Sequence, residues 1–206
     1  MSDSTDNRAP ANTALEVASW RREVHALYAA LRAEPTPTSA HALWVDARSR
    51  LFLGHPASPR SGDQRLRHAP YDPAYRFVVP IEEAPPQRWE FASATDGIVP
   101  FERVGSVRLG DLGTLDVWWL DSYGGGIFLP ARDGSAGQET YGAGRYVLDT
   151  VKGTDLGRQG ADWIVDLNFA YNPSCVYDPR WNCPLAPAGN RFAASAPVGE
   201  LLPEGY

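Results

Sequence analysis

The feature that most narrows the fold of this chain is a change of hydrophobic period near residue 72. Before it, apolar residues recur at three- and four-residue steps. After it they alternate, and turn residues interrupt the alternation at short spacing. Pro85-Pro86, Asp96-Gly97, Gly110 to Gly113, Asp133-Gly134 and Gly157 to Gly160 supply the turns. The runs between them predict strands at 75–81, 88–92, 99–109, 112–121, 126–130, 144–150 and 162–171. Parallel neighbours need a crossover of roughly a dozen residues or more, and no helical stretch separates these strands. The expected fold class is therefore α+β, mainly β, with N-terminal helices packed on an antiparallel β-barrel or strongly bent sheet.

In the first part of the chain, Val17, Trp20, Val24, Leu27, Tyr28 and Leu31 form one apolar stripe, which predicts a helix over 13–32 opened by a Thr13/Glu16 capping box. PTPT at 35–38 breaks it. A second helix is expected from a Thr38 or Ser39 cap, burying Leu43, Trp44, Ala47 and Leu51 and ending at Gly54-His55-Pro56. Residues 1–12 are polar and without period, so they are expected as a disordered tail. Residues 13–206 are expected as one domain, with a helical part at 13–57 and a β part at 72–206.

At 206 residues and 43% hydrophobic content the chain has enough apolar material for an ordinary core. Its net charge of -6 and the scatter of its 19 basic residues argue against nucleic-acid and anionic-membrane partners. The sequence has no apolar run of bilayer-spanning length and no signal-like start, so a cytoplasmic location is expected. There Cys175 and Cys183 are expected as reduced thiols rather than a disulfide. Their spacing matches no zinc finger and the four histidines stand isolated in the first third, so neither a metal nor a cofactor is expected.

Two dense stretches remain for chemistry. In the last strand Asp166 and Asn168 alternate with Val165, Leu167 and Phe169, which puts polar groups together on one face, either wet or lining a cavity. The chain then runs into YNPSCVYDPRWNCPLAP, where proline stiffens a loop carrying Tyr171, Asn172 and Tyr177. The second stretch, YGGGIFLPARDGSAGQETYGAGRY from Tyr123 to Tyr146, holds Glu139, Tyr141 and Arg145 within seven positions: a base, a hydrogen-bond donor and an anion clamp. Its glycines precede β-like residues, so a phosphate-binding fingerprint is not supported. No G-x-S-x-G is present, and His55 is the one histidine close to these considerations, at the end of the second helix.

The blocks WRREVHALYAALRA, LFLGHPASP, YDPAYRF, WLDSYGGGIFLPARDGSAGQETYGAGRYVLDTVKG and DLNFAYNPSCVYDPRWNCPLAP, in this order, resemble domain-of-unknown-function family 1684, found in bacteria and archaea. The resemblance runs from about residue 15 to residue 200 and departs from the family pattern at Arg65 to Ala69 and at Gly189. It implies a single-domain protein and a shared set of site residues, with no established activity.

Together these readings predict that Asp166, Asn168, Glu139, Tyr141 and Arg145 converge in space. The leading expectation is a small-molecule-binding β domain for a polar or anionic organic ligand. In it Arg145 clamps, Tyr123, Tyr146, Tyr171 and Tyr177 form walls and donors, Asp166 and Asn168 fix orientation, and Asn172 and His55 complete the binding set. One alternative is a metal-independent hydrolase or lyase with Glu139 or Asp166 as base and Tyr141 or Tyr171 as acid. Another is a structural or protein-interaction module. The ligand and the oligomeric state are left open.

Overall fold

The computed structural model describes residues 11–93, 97–204 and 206. The expected tail lies outside these residues as far as residue 10, and the Asp96-Gly97 turn lies partly outside. Helix α1 spans Ala11–Ala33 and helix α2 Pro37–Gly54. Because α1 already runs at Ala11, Thr13 and Glu16 sit inside the helix rather than at its cap. Thr36 is extended at φ -102° and Pro37 takes the first position of α2, where its missing N–H costs nothing. At the other end His55 is extended at φ -82° and ψ 136°, the region imposed by Pro56.

The strands form β1 (Arg76–Val79), β2 (Arg88–Ser93), β3 (Gly97–Arg108), β4 (Thr114–Leu120), β5 (Gly126–Ala131), β6 (Arg145–Asp149), β7 (Arg158–Gln159) and β8 (Asp162–Asp166). They make two antiparallel sheets, a five-stranded meander in the order β2-β3-β4-β5-β6 and a three-stranded sheet in the order β1-β8-β7. Single bridges tie the sheets at both flanks, Glu82 to Ser106 beside β3 and Tyr146 to Tyr171 beside β6. Among the described residues no continuous ladder closes them into a barrel. The Glu82 crossing is tight: β3 bulges at Gly105, where a Cβ would stand 2.5 Å from the Glu82 carbonyl oxygen.

The apolar interior has two parts. Val107, Leu115, Val117, Leu129, Leu148 and Val165 pack between the sheets. An aromatic layer of Tyr28, Trp44, Trp118, Phe128, Tyr146, Phe169 and Tyr171 joins the helices to the strands. Strand β4 supplies both, with Leu115 and Val117 facing one part and Trp118 the other.

Two expected burial patterns are corrected. The inward stripe of α2 is Ala40, Trp44 and Phe52, while Leu43 is exposed. Strand β8 stops at Asp166, whose side chain accepts from Asn168 N–H and caps a 3-10 turn at Leu167–Phe169. The alternation expected to residue 171 is lost there, and Leu167, Asn168 and Phe169 are all buried.

Candidate functional site

Four-residue steps along α2 run Ala40, Trp44, Arg48, Phe52, so the helix carries one guanidinium inward with its apolar stripe. Arg48 meets Glu200, which is wholly buried. Its Nε and Nη2 both donate to the carboxylate, Nη2 to Oε2 at 3.2 Å. Glu200 also accepts from Asn172 N–H at 2.7 Å and from Tyr177 Oη at 3.2 Å. His68 Nε2 lies 3.6 Å from Oε1. Burial pushes the Glu200 carboxyl up, but Arg48 and His68 outweigh it and bring it down to about 2. The backbone that delivers Glu200 is specific: Gly199 has φ +72°, and a Cβ there would stand 2.6 Å from the Ala170 carbonyl oxygen.

Gripping Glu200 through Nε and Nη2 leaves Arg48 Nη1 without a hydrogen bond among the described residues. Beside this group opens a cavity of about 140 Å³. Trp20 and Val24 of α1 and Arg48 and Phe52 of α2 form one side. Tyr146, Tyr171 and Asn172 also line it, as do Pro173, Ser174 and Trp181 of the proline-rich loop. The Arg48 guanidinium lies 4.8 Å from the Tyr171 ring centre.

The charged side chains that line the cavity have one sign, although Arg48 and Lys152 are each paired with a carboxylate behind the lining. Arg21, Arg48 and Lys152 line it, and no carboxylate does among the described residues. Lys152, the only lysine of the chain, stands 2.9 Å from Asp149 Oδ2 and 5.2 Å from the Tyr146 ring centre. Asn172 donates through Nδ2 to Tyr177 Oη at 3.1 Å and to the Leu201 carbonyl at 2.9 Å, while its buried Oδ1 has no partner. Tyr171 Oη and Thr154 Oγ1 are hydrogen-bonded at 3.1 Å, and Tyr146 Oη donates to the Pro184 carbonyl at 2.7 Å. Burial holds both phenols well above their ordinary value, so they are neutral hydrogen-bonding groups.

Of the residues singled out from the sequence, Tyr146, Tyr171 and Asn172 line this cavity, and Tyr177 supports Asn172 from behind. His55 packs edge-on against Trp20 at 5.3 Å and accepts the Ala57 N–H through Nδ1 at 3.0 Å, tying down the loop after α2. The other six site residues lie elsewhere. Arg145 is not a clamp: Nη1 donates to the Val198 and Glu200 carbonyls, and Nη2 to Asp133 Oδ2 at 3.0 Å and the Ala196 carbonyl at 2.9 Å. Asn168 is sealed against Asp72 and Asp166. Asp166 is 1% exposed and receives Arg76 at 3.3 Å and Tyr71 at 3.4 Å; burial raises its carboxyl against the pull of Asn168 and Arg76. Tyr141 sits with Cys175 and Tyr206, Glu139 is exposed, and Tyr123 stands free in solvent. The five expected to converge do not join one network: Asp166 and Asn168 bond to each other, while Arg145 pairs with Asp133, Tyr141 sits with Cys175 and Glu139 is exposed.

Sequence reasoning passed over Arg48, Lys152 and Glu200. Arg48 left a signal, a cation four residues from Trp44 and four from Phe52, and Lys152 stands out as the single lysine. Glu200 left none, since it lies in an irregular segment and meets Arg48 across 152 positions.

The architecture is that of a two-sheet α+β protein carrying a small cationic cavity under its helices. Residues 64–201 match the family described as protein of unknown function DUF1684, and the chain belongs to that family. A solution NMR structure of an uncharacterised protein from Haloarcula marismortui is similar, with 26% identity over 76% of this chain and 89% of that one, and a TM-score of 0.53. No curated protein matches the chain. The matched family region begins after α2, so the cavity is composite: Tyr146, Lys152, Tyr171 and Asn172 come from the family region, Trp20 and Arg48 from the helices before it. Among the described residues no helix is long and apolar enough to cross a membrane.

Proposed function

We propose that the protein binds a small organic anion, an apolar body of about one ring bearing an acidic group, in the cavity under α1 and α2. The observation that carries this reading is the sign of the lining, which holds Arg21, Arg48 and Lys152 and no carboxylate. Size sets the class of ligand. A cavity of about 140 Å³ is close to the roughly 150 Å³ of an engineered apolar cavity that takes up benzene. Trp20, Phe52, Tyr146 and Tyr171 offer flat apolar walls. The free Nη1 of Arg48 meets one acidic oxygen, the Lys152 ammonium balances its charge, and Asn172 Oδ1 accepts from a donor on the ligand. Arg48 thus takes the clamping role that sequence alone suggested for Arg145. The two sheets, bridged once at each flank, serve as an interrupted barrel whose helix-covered side holds the ligand.

Binding is favoured over the hydrolase or lyase alternative because acid–base chemistry needs a proton carrier within hydrogen-bond reach of the substrate. Glu139 and Asp166 do not line the cavity, and Tyr146 and Tyr171 are held protonated by burial. The test is calorimetric titration with benzoate and with its neutral isostere benzyl alcohol at low salt. Saturable benzoate binding, weakened about tenfold in Arg48→Lys, is expected, since one charge-assisted hydrogen bond is lost. Equal affinity for the two compounds would reject the anion site.

A further inference from the structure

A second cavity, of about 160 Å³, lies on the five-stranded sheet, and among the described residues none from α1 or α2 lines it. Strand register builds its floor. Phe91 of β2 pairs with Val99 of β3, and Phe101 of β3 pairs with Leu120 of β4. Cross-strand partners, and residues two apart along a strand, share a face, so these four side chains stand together. Phe128 of β5 joins them, its ring centre 5.5 Å from that of Phe101. Phe91, Val99 and Leu120 are only half-buried, so the fold leaves part of this apolar face without cover.

The second cavity adjoins the one under the helices. Among the described residues their linings share Lys152 alone. Its ammonium lies 5.2 Å from the ring centre of Tyr146, which lines the first cavity, and that ring packs edge-on at 4.8 Å against Phe128, which lines the second. One loop borders both: Trp181 lines the first, Asn182 and Pro184 the second, and Tyr146 Oη donates to the Pro184 carbonyl at 2.7 Å. The charges divide the two. Arg21 and Arg48 line the first, whereas the second has Asp149 as its one charged group besides Lys152, with Asp149 Oδ2 2.9 Å from the ammonium. An acidic group is therefore favoured on the Arg48 side of Lys152, and the second cavity suits a neutral apolar group.

We propose that the ligand is a forked monoacid: its acidic group sits at the junction beside Arg48 and Lys152, its ring fills the first cavity, and a neutral apolar arm runs past Lys152 into the second. This rests on the anion reading and adds to it the point from which the arm leaves. Because the linings meet only at Lys152, an arm that enters the second cavity has to start next to the group that Lys152 meets. The arm is thus attached beside the acid, as in an ortho-substituted aromatic acid, and not at the far end of the ring. The second volume, close to the roughly 150 Å³ that accepts benzene, sets the size of the arm at about one ring or a short chain. Asp149 excludes a second carboxylate from its end.

Calorimetric titration of the full chain compares benzoate with its ortho-butoxy and para-butoxy derivatives. The ortho compound is expected to bind at least about tenfold tighter than benzoate, because its arm buries apolar area in the second cavity, and the para compound no tighter than benzoate. Ending the ortho arm in a carboxylate should abolish the gain, since Asp149 lines that cavity. Val99→Trp fills the second cavity from a half-buried strand position, so it should remove the ortho gain and leave benzoate affinity unchanged. The comparison of isomers on the unaltered protein does not depend on how that variant folds. Benzoate binding accompanied by no ortho gain, by an equal para gain, or by an ortho gain that survives in folded Val99→Trp would overturn the fork and leave the anion site standing. Absence of saturable binding for all three compounds would overturn both.

Discussion

Arg145 is buried and Arg48 half-buried, and both are paired with a buried carboxylate, yet their surroundings make them different instruments. Arg145 directs four of its five N–H groups to Asp133, Ala196, Val198 and Glu200, and so staples the segment from Ala196 to Glu200 onto β6. Asp133 is equally saturated, accepting from Ser135, Thr140 and Ala196 as well. Arg48 directs Nε and Nη2 to Glu200, leaves Nη1 unused among the described residues, and lines a cavity. The two networks meet at one residue, since Arg145 holds the Glu200 carbonyl and Arg48 its carboxylate. The difference teaches that an arginine's donor ledger, rather than its burial or its aromatic company, separates cement from recognition.

The largest expected effect breaks the cement. Arg145→Met strands Asp133 and three carbonyls, and should cost about 3–5 kcal/mol in urea unfolding, the cost of removing one partner of a buried pair. Benzoate affinity of the molecules that remain folded should not change. A loss below about 1 kcal/mol would erase the distinction between the two arginines.

Acid should act on the other network. Unfolded Glu200 binds its proton near the ordinary 4.5 and the folded protein only near 2, so this stabilisation is complete above about 4.5 and is lost as pH falls toward 2. The shift corresponds to about 3 kcal/mol. His41 adds to the slope at higher pH. Burial, and then His68, lower it from 6.5 to about 4, so the unfolded chain takes up that proton first and stability already declines between these values. Urea midpoints from pH 7 to pH 2.5 should therefore fall in two stages. A lower stage that persists unchanged in Glu200→Gln would assign the loss to another group.

Arg48→Lys should sharpen the contrast at lower cost. It keeps a cation for Glu200 and removes the Nη1 edge, so stability should drop by about 1 kcal/mol while benzoate affinity drops about tenfold. Stability and affinity falling in proportion would mean that Arg48 is cement too. The smallest effect belongs to Tyr123→Ser, which should leave both the unfolding midpoint and benzoate affinity unchanged, because its ring makes no contact that folding or binding uses.

The strands were legible because period and turn chemistry act locally: expected 99–109 is observed as Gly97–Arg108, and expected 144–150 as Arg145–Asp149. The faces after β8 were not. A carboxylate two residues before an amide can alternate along a strand or close an Asx-type turn, and Asp166 chose the turn. The site was half legible. Tyr146, Tyr171 and Asn172 were marked by their aromatic and amide character in a stiff stretch, and they do border the cavity. Arg145 was marked for the same reasons and does not, since no local pattern reports which carbonyls a guanidinium will find across the fold. Arg48 was hidden by the habit of reading an arginine in a helix as outward, although the four-residue step from Trp44 to Phe52 passes through it.

The Arg48–Glu200 pair also fixes when the cavity can exist. The two residues are 152 positions apart, and at roughly 5–20 residues per second a ribosome needs about 8–30 s to travel from one to the other. Throughout that interval the helical hairpin holds a guanidinium on the stripe it must bury, with no counter-ion yet made. Docking of α2 onto the aromatic layer is thereby deferred until the segment around Gly199 has been synthesised and threaded beside Ala170, so the pocket is assembled after the scaffold beneath it.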